Sequence, residues 1–131
     1  MKSQWMEHNG HTFMYSNFSG FGRDVDALRA EVLAADGEIC RQPKDSVLVL
    51  VDVRGTTTST DAVDVFRHSA ARTKGWVIRQ AIVGVTGIQK ILARAVARFS
   101  GEELVLFDNF EEAKDWLVSG GGGKGESIRG L

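Results

Sequence analysis

The sequence predicts an α/β fold: a mixed, largely parallel sheet of about five strands, with an N-terminal β-hairpin and four helices. Residues 47–51 form an unbroken, mostly β-branched apolar run that ends at Asp52. Such a run is typical of a strand that is buried on both faces, as in the middle of a parallel sheet. Amphipathic helical stretches alternate with further apolar runs along the rest of the chain. This alternation favours parallel strands joined by right-handed helical crossovers.

Composition indicates one globular domain. The 131 residues are 43% hydrophobic and 25% charged, which suits a chain that buries its own core. We expect the domain to cover residues 1–118 and a glycine-rich, flexible tail to cover residues 119–131. The net charge of −1 provides no field that would attract nucleic acid. One cysteine, no apolar run of about 20 residues and no secretory signal predict a cytoplasmic protein without a transmembrane segment.

The N-terminal half is predicted to contain the hairpin, a first helix and the buried strand. Asn9-Gly10 is the preferred dipeptide of a type I′ turn, because both positions need a positive φ. Asp24 is suited to cap the first helix, which we expect to end before Pro43.

Three further helices are predicted after the buried strand. The first of them follows the polar loop and ends near Lys74-Gly75, and a strand over residues 77–85 comes next. Thr86 and Gln89 form a capping box before an apolar stripe that predicts a helix over residues 88–99. Asp108 and Glu111 form a second capping box before the last helix.

The candidate site is the polar loop that follows the buried strand. Ligands in open α/β sheets tend to bind in crevices at the carboxyl ends of the strands, and helix N-termini favour anions. Thr86 and Gly87, after the next strand, are expected to lie at the same edge, although capping alone would also explain Thr86. The candidate residues for binding a ligand or partner are Arg54, Thr56, Thr57, Thr58, Ser59, Thr60, Asp61, Thr86 and Gly87.

No metal, cofactor or catalytic residue is predicted. His8 and His11 flank the hairpin turn, but a metal site needs a third ligand that the sequence does not supply. Lys124 in the glycine-rich tail is followed by glycine, whereas a P-loop requires serine or threonine there. No histidine or cysteine beside Asp52 is identifiable as a base or nucleophile, so an activity at residues 52–61 is the minor alternative.

Three phrases of the sequence resemble the SpoIIAA-like branch of the STAS superfamily, and the resemblance covers roughly residues 4–118. They lie at residues 50–55 (LVDVRG), 81–89 (AIVGVTGIQ) and 107–117 (FDNFEEAKDWL). The resemblance implies a STAS-like fold and a regulatory binding module. Anti-anti-sigma members of the superfamily carry an Asp-Ser-Ser-Gly phrase whose serine is phosphorylated. Here the matching region reads Ser59-Thr60-Asp61-Ala62-Val63 and lacks that phrase.

Two functions remain open at this point. The first is a non-catalytic STAS-like binding or regulatory module, a homodimer that contacts an unknown protein partner through these loops. The alternative is a carrier of a small apolar or lipid-like ligand, which requires an internal cavity of a few hundred Å³. The residues that would line such a cavity are Phe13, Phe18, Phe21, Phe66 and Phe99.

Overall fold

A mixed sheet with helices on both faces organises the chain. The computed structural model describes residues 1–85, 103–120 and 126–129. Their elements are β1 (Gln4–His8), β2 (His11–Asn17), α1 (Val25–Ile39), β3 (Val47–Asp52), α2 (Thr60–Thr73), β4 (Val77–Val83), β5 (Glu103–Phe107), α3 (Phe110–Ser119) and β6 (Glu126–Arg129).

The six strands follow one another across the sheet in chain order, from β1 to β6. Strands β2, β3, β4 and β5 are parallel, whereas β1 and β6 pair antiparallel with their neighbours at the two edges. The α/β class, the largely parallel sheet and the N-terminal hairpin are therefore confirmed. Asn9 and Gly10 have φ values of 50° and 81°, as the predicted turn requires.

One part of the prediction needs correction, and another falls on residues that the structure does not describe. Residues 126–129, expected in a flexible tail, form β6 on β5, so the sheet has six described strands rather than about five. The described residues contain three helices, and the helix predicted over residues 88–99 lies outside them. None of the described helices combines the length and apolar character that crossing a membrane requires.

Side chains of β3 alternate between two hydrophobic layers, and all six residues of the strand are buried. Val49 and Val51 pack in the layer beneath α1 and α2, and Leu48 and Leu50 pack in the layer beneath α3. A strand directs successive side chains to opposite faces, so the unbroken apolar run is the consequence of a sheet covered on both sides. The same alternation carries Asp52 to the α3 face.

Side-chain caps fix where the helices begin. Asp24 accepts a hydrogen bond from the Ala27 amide (3.0 Å), which confirms the predicted cap of α1. The prediction for α3 is wrong by one residue. Asn109, rather than Asp108, accepts the hydrogen bond from the Glu112 amide (3.1 Å). Asparagine and aspartate both cap helices well, so adjacent Asp and Asn residues offer two solutions that the sequence does not distinguish.

Truncating the central strand should be costly. Leu50 is fully buried, so we expect Leu50→Ala to lower the free energy of unfolding by about 2–5 kcal/mol. Ile78→Ala is the matched control, because Ile78 lies on β4 with 52% of its surface exposed and should cost well under half as much. Urea denaturation measures both, and similar losses would contradict the placement of β3 at the centre.

Candidate functional site

The loops that follow β2 and β3 run side by side beyond the sheet. Gly20 donates its amide to the Arg54 carbonyl (2.9 Å), Gly22 to the Gly55 carbonyl (2.9 Å), and Thr57 to the Gly22 carbonyl (2.8 Å). We call residues 18–24 and 53–61 together the rim. The parallel pairing of β2 and β3 thus continues into the rim, which is held by backbone hydrogen bonds at the carboxyl end of the central strand.

Thr56 joins the two halves of the rim from inside. Only 5% of the residue is exposed, and its hydroxyl donates to the Phe18 carbonyl (2.5 Å) and accepts from the Phe21 amide (3.2 Å). The hydroxyl is therefore used within the protein, and Thr56 supports the rim instead of facing a ligand.

The other predicted hydroxyl residues lie where α2 begins. Thr57 and Thr60 are exposed, and so is the carboxylate of Asp61 in the first turn of the helix. Thr58 and Ser59 are half-buried, and Ser59 caps α2 by accepting from the Ala62 amide (3.2 Å). These residues place donors, acceptors and a helix N-terminus on the surface of the rim.

Asp52 is the most buried charge of the site, with 1% of its side chain exposed. Its carboxylate accepts hydrogen bonds from Arg54 Nε (3.0 Å), Arg54 Nη2 (2.8 Å) and the Arg54 amide (3.1 Å). Tyr15, on the neighbouring strand β2, donates its hydroxyl to the same carboxylate (2.7 Å). Buried carboxylates require such partners, because an unpaired charge inside a protein is very unfavourable.

These contacts shift the pKa values of all three groups. Burial alone would raise the pKa of Asp52, but hydrogen bonds from Arg54 and Tyr15 and the charge of Arg54 outweigh it, so the pKa is lowered. The hydrogen bond to Asp52 raises the pKa of Arg54. Burial, together with the hydrogen bond and charge of Asp52, raises the pKa of Tyr15 to about 12.

Arg54 is held in place by two further residues. A Cβ atom at Gly84, the residue after β4, would lie 2.6 Å from Arg54 Cγ and 2.8 Å from its amide nitrogen, so only glycine permits this approach. On the other side, the guanidinium carbon lies 5.8 Å from the centre of the Phe110 ring, within the range of a cation–π contact. Tyr15 packs edge-on against the same ring at 5.4 Å.

The predicted site residues therefore fall into two groups. Arg54 lies on the α3 side of the sheet, and residues 57–61 lead into α2 on the other side. Thr86 and Gly87 lie outside the described residues. Tyr15, Gly84 and Phe110 were not predicted as site residues. The only available signal was the two-residue spacing of Asp52 and Arg54, which places both side chains on one face of an extended strand.

The described residues offer neither a metal centre nor an activated thiol. Among them, no group of three or more His, Cys, Asp or Glu side chains could hold a metal ion. His8 contacts Asp115 of α3 (2.6 Å). Cys40 is half-buried, and burial raises the pKa of its thiol, which disfavours the reactive thiolate.

A cavity of about 90 Å³ lies between the sheet and the helices α1 and α2. Phe18 and Phe66 line it, as predicted, but Phe13 lies in the layer on the opposite face of the sheet. Phe21 packs against the core without lining the cavity, and Phe99 is outside the described residues. The volume is below the roughly 300–1,000 Å³ that is typical of ligand pockets. This cavity is therefore smaller than the internal pocket that the carrier alternative requires.

The pKa of Tyr15 can be measured directly, because Tyr15 is the single tyrosine of the chain. We expect its phenolate to appear in ultraviolet absorbance at a pKa of about 12 in the folded protein, against about 10 in denaturant. Because the folded value is the higher one, the stability that Tyr15 contributes is present below about pH 10 and is lost as pH rises through 12.

The variant Asp52→Asn should lower the pKa of Tyr15, since the charge of Asp52 contributes to the increase. Asp61→Asn removes an exposed carboxylate of the same charge and should leave the titration unchanged. Phenolate formation near pH 10 in protein that circular dichroism shows to be folded would contradict the Tyr15–Asp52 contact.

Gly84→Ala should destabilise the protein by about 1–3 kcal/mol, because the new methyl group meets the backbone of Arg54 at a φ of +100°. Gly37→Ala is the control: Gly37 lies in α1 with no atom within 4 Å of the added Cβ, so we expect a gain of up to about 1 kcal/mol. Urea midpoints give both values, and a neutral Gly84→Ala would show that Arg54 is not held against β4.

Comparison with known proteins identifies no relative. No protein-family model, curated protein or solved structure matches the chain.

Proposed function

We propose that this chain is a non-catalytic, STAS-like binding module that contacts a protein partner through the rim. The observation that carries the proposal is the set of hydrogen bonds joining residues 18–24 to residues 53–59, which holds two loops in one conformation. Association costs less free energy when the contacting loops are already ordered. Exposed Thr57, Thr60 and Asp61 then give such a partner polar groups to recognise.

The titration behaviour of the site also favours binding over catalysis. General acids and bases work best when their pKa lies near the operating pH. Here the pKa of Asp52 is lowered and that of Tyr15 is raised to about 12, so both move away from neutrality. Their role in this proposal is to hold Arg54 in place.

The STAS-like assignment is supported by where the family-like phrases fall in the fold. The LVDVRG phrase contains the end of β3 together with Asp52 and Arg54, and the FDNFEEAKDWL phrase contains most of α3 with Phe110. Two separate phrases therefore meet in one contact, between Arg54 and the Phe110 ring. The homodimer remains a prediction alongside the protein partner.

Partner binding through the rim is tested with the double variant Thr57→Lys, Thr60→Lys. Two exposed lysines add bulk and positive charge to the rim without touching the core, so we expect the variant to fold and to lose its partner. Immobilised wild-type and variant proteins are compared by quantitative mass spectrometry of native extract. The expected result is a protein enriched at least about tenfold by wild type, equivalent to about 1.4 kcal/mol.

The matched control is Thr12→Lys, an exposed threonine on β2 at the opposite end of the sheet. It should retain the partner at the wild-type level. Identical capture by wild type and the rim variant would overturn the proposal, and so would equal loss in the control. Native mass spectrometry of the purified protein distinguishes the carrier alternative, which predicts a bound small apolar molecule.

A further inference from the structure

We propose that Arg54 is a preorganised receptor for a carboxylate group carried by the partner, either an acidic side chain or a chain terminus. The inference rests on the proposed function, because the carboxylate belongs to the protein that binds at the rim. It adds which chemical group of the partner would bind on the α3 side of the site.

The outer edge of the guanidinium is available for such a group. Arg54 binds Asp52 through Nε and Nη2, and its guanidinium also interacts with the Tyr15 hydroxyl; the edge formed by Nη1 and the second hydrogen of Nη2 lies away from the Asp52 carboxylate. The side chain is 55% exposed, although the carboxylate beneath it is 1% exposed. An arriving anion therefore meets N–H donors of Nη1 and Nη2, whose fork matches the two oxygens of a carboxylate.

The position of this fork is fixed before anything binds. Asp52 holds the inner edge, the Gly84 backbone lies against the aliphatic stem, and the Phe110 ring lies beside the guanidinium. An exposed arginine normally loses rotamer freedom when it binds a ligand, and that cost is reduced here. The three contacts come from separate parts of the fold: the end of β3, the residue after β4, and α3.

Local charge favours a carboxylate over a phosphate. Asp52 already compensates the charge of Arg54, and Asp108, Glu111 and Glu112 are exposed at the start of α3. The nearby cation Lys114 is paired with Glu111 (3.0 Å). A doubly charged phosphate would be repelled by these carboxylates, whereas a planar, singly charged group can use the fork with less repulsion.

The test is an NMR titration of the arginine Nε–Hε signals with sodium acetate, and separately with inorganic phosphate, at constant ionic strength. We expect the Arg54 signal and the Gly55 and Gly84 amides to shift saturably with acetate, with a dissociation constant on the order of millimolar. Phosphate should bind more weakly. Arg29 is the internal control. It is 49% exposed and paired with Asp26 (2.8 Å) in an i,i+3 pair on the surface of α1, and Asp26 is itself exposed.

The variant Arg54→Lys keeps the charge but removes the fork, and the two glycine amides should then report binding at least about tenfold weaker. A non-saturating shift, an equal response at Arg29, or unchanged affinity in the lysine variant would overturn the inference. Tighter binding of phosphate than of acetate would overturn the selectivity for carboxylate. The titration uses the isolated chain, so its failure is distinct from a failure to capture a partner through Thr57 and Thr60.

Discussion

The buried carboxylate of Asp52 is the constraint on which the rim depends. A charge that is 1% exposed at the end of the central strand has to be compensated by groups that stay in place. Arg54, two residues further along the chain, supplies three N–H groups, and Tyr15 supplies a hydroxyl from the neighbouring strand. Satisfying this one carboxylate therefore fixes the path of the chain after β3 and the relative positions of two strands.

The two-residue period of a strand explains why the site has two sides. Leu48, Leu50 and Asp52 face α3, so Arg54, which continues the alternation, reaches Phe110. Val53 and Thr56 face the opposite way, toward the core beneath α1 and the loop after β2. A single polar loop thus gives one guanidinium to one face of the sheet and a row of hydroxyl groups to the other.

The features of the fold that could be predicted from the sequence are those indicated by a local pattern of residues. The buried run of β3, the Asn9-Gly10 turn and the Asp24 cap were predictable, because each depends on neighbouring residues and the sheet or helix they form. Strand β6 was not, since four residues rich in polar groups show no apolar alternation and gain their structure only from β5. Tyr15 lies 37 positions before Asp52, so no local sequence pattern predicts the contact between them.

Under the proposed function, different residues of the rim support its conformation and contact the partner. Its shape depends on backbone hydrogen bonds and on close approach of main chains: a Cβ atom at Gly55, whose φ is +73°, would lie 3.4 Å from the Cα and amide nitrogen of Gly20. Thr56 completes this support with a buried hydroxyl. Thr57 and Thr60 are exposed and are not needed to hold the loops through their side chains. In the proposed binding module, substitutions at those two positions would therefore alter what binds without changing the conformation of the loops, whereas a change at Asp52 or Gly84 would alter the scaffold itself.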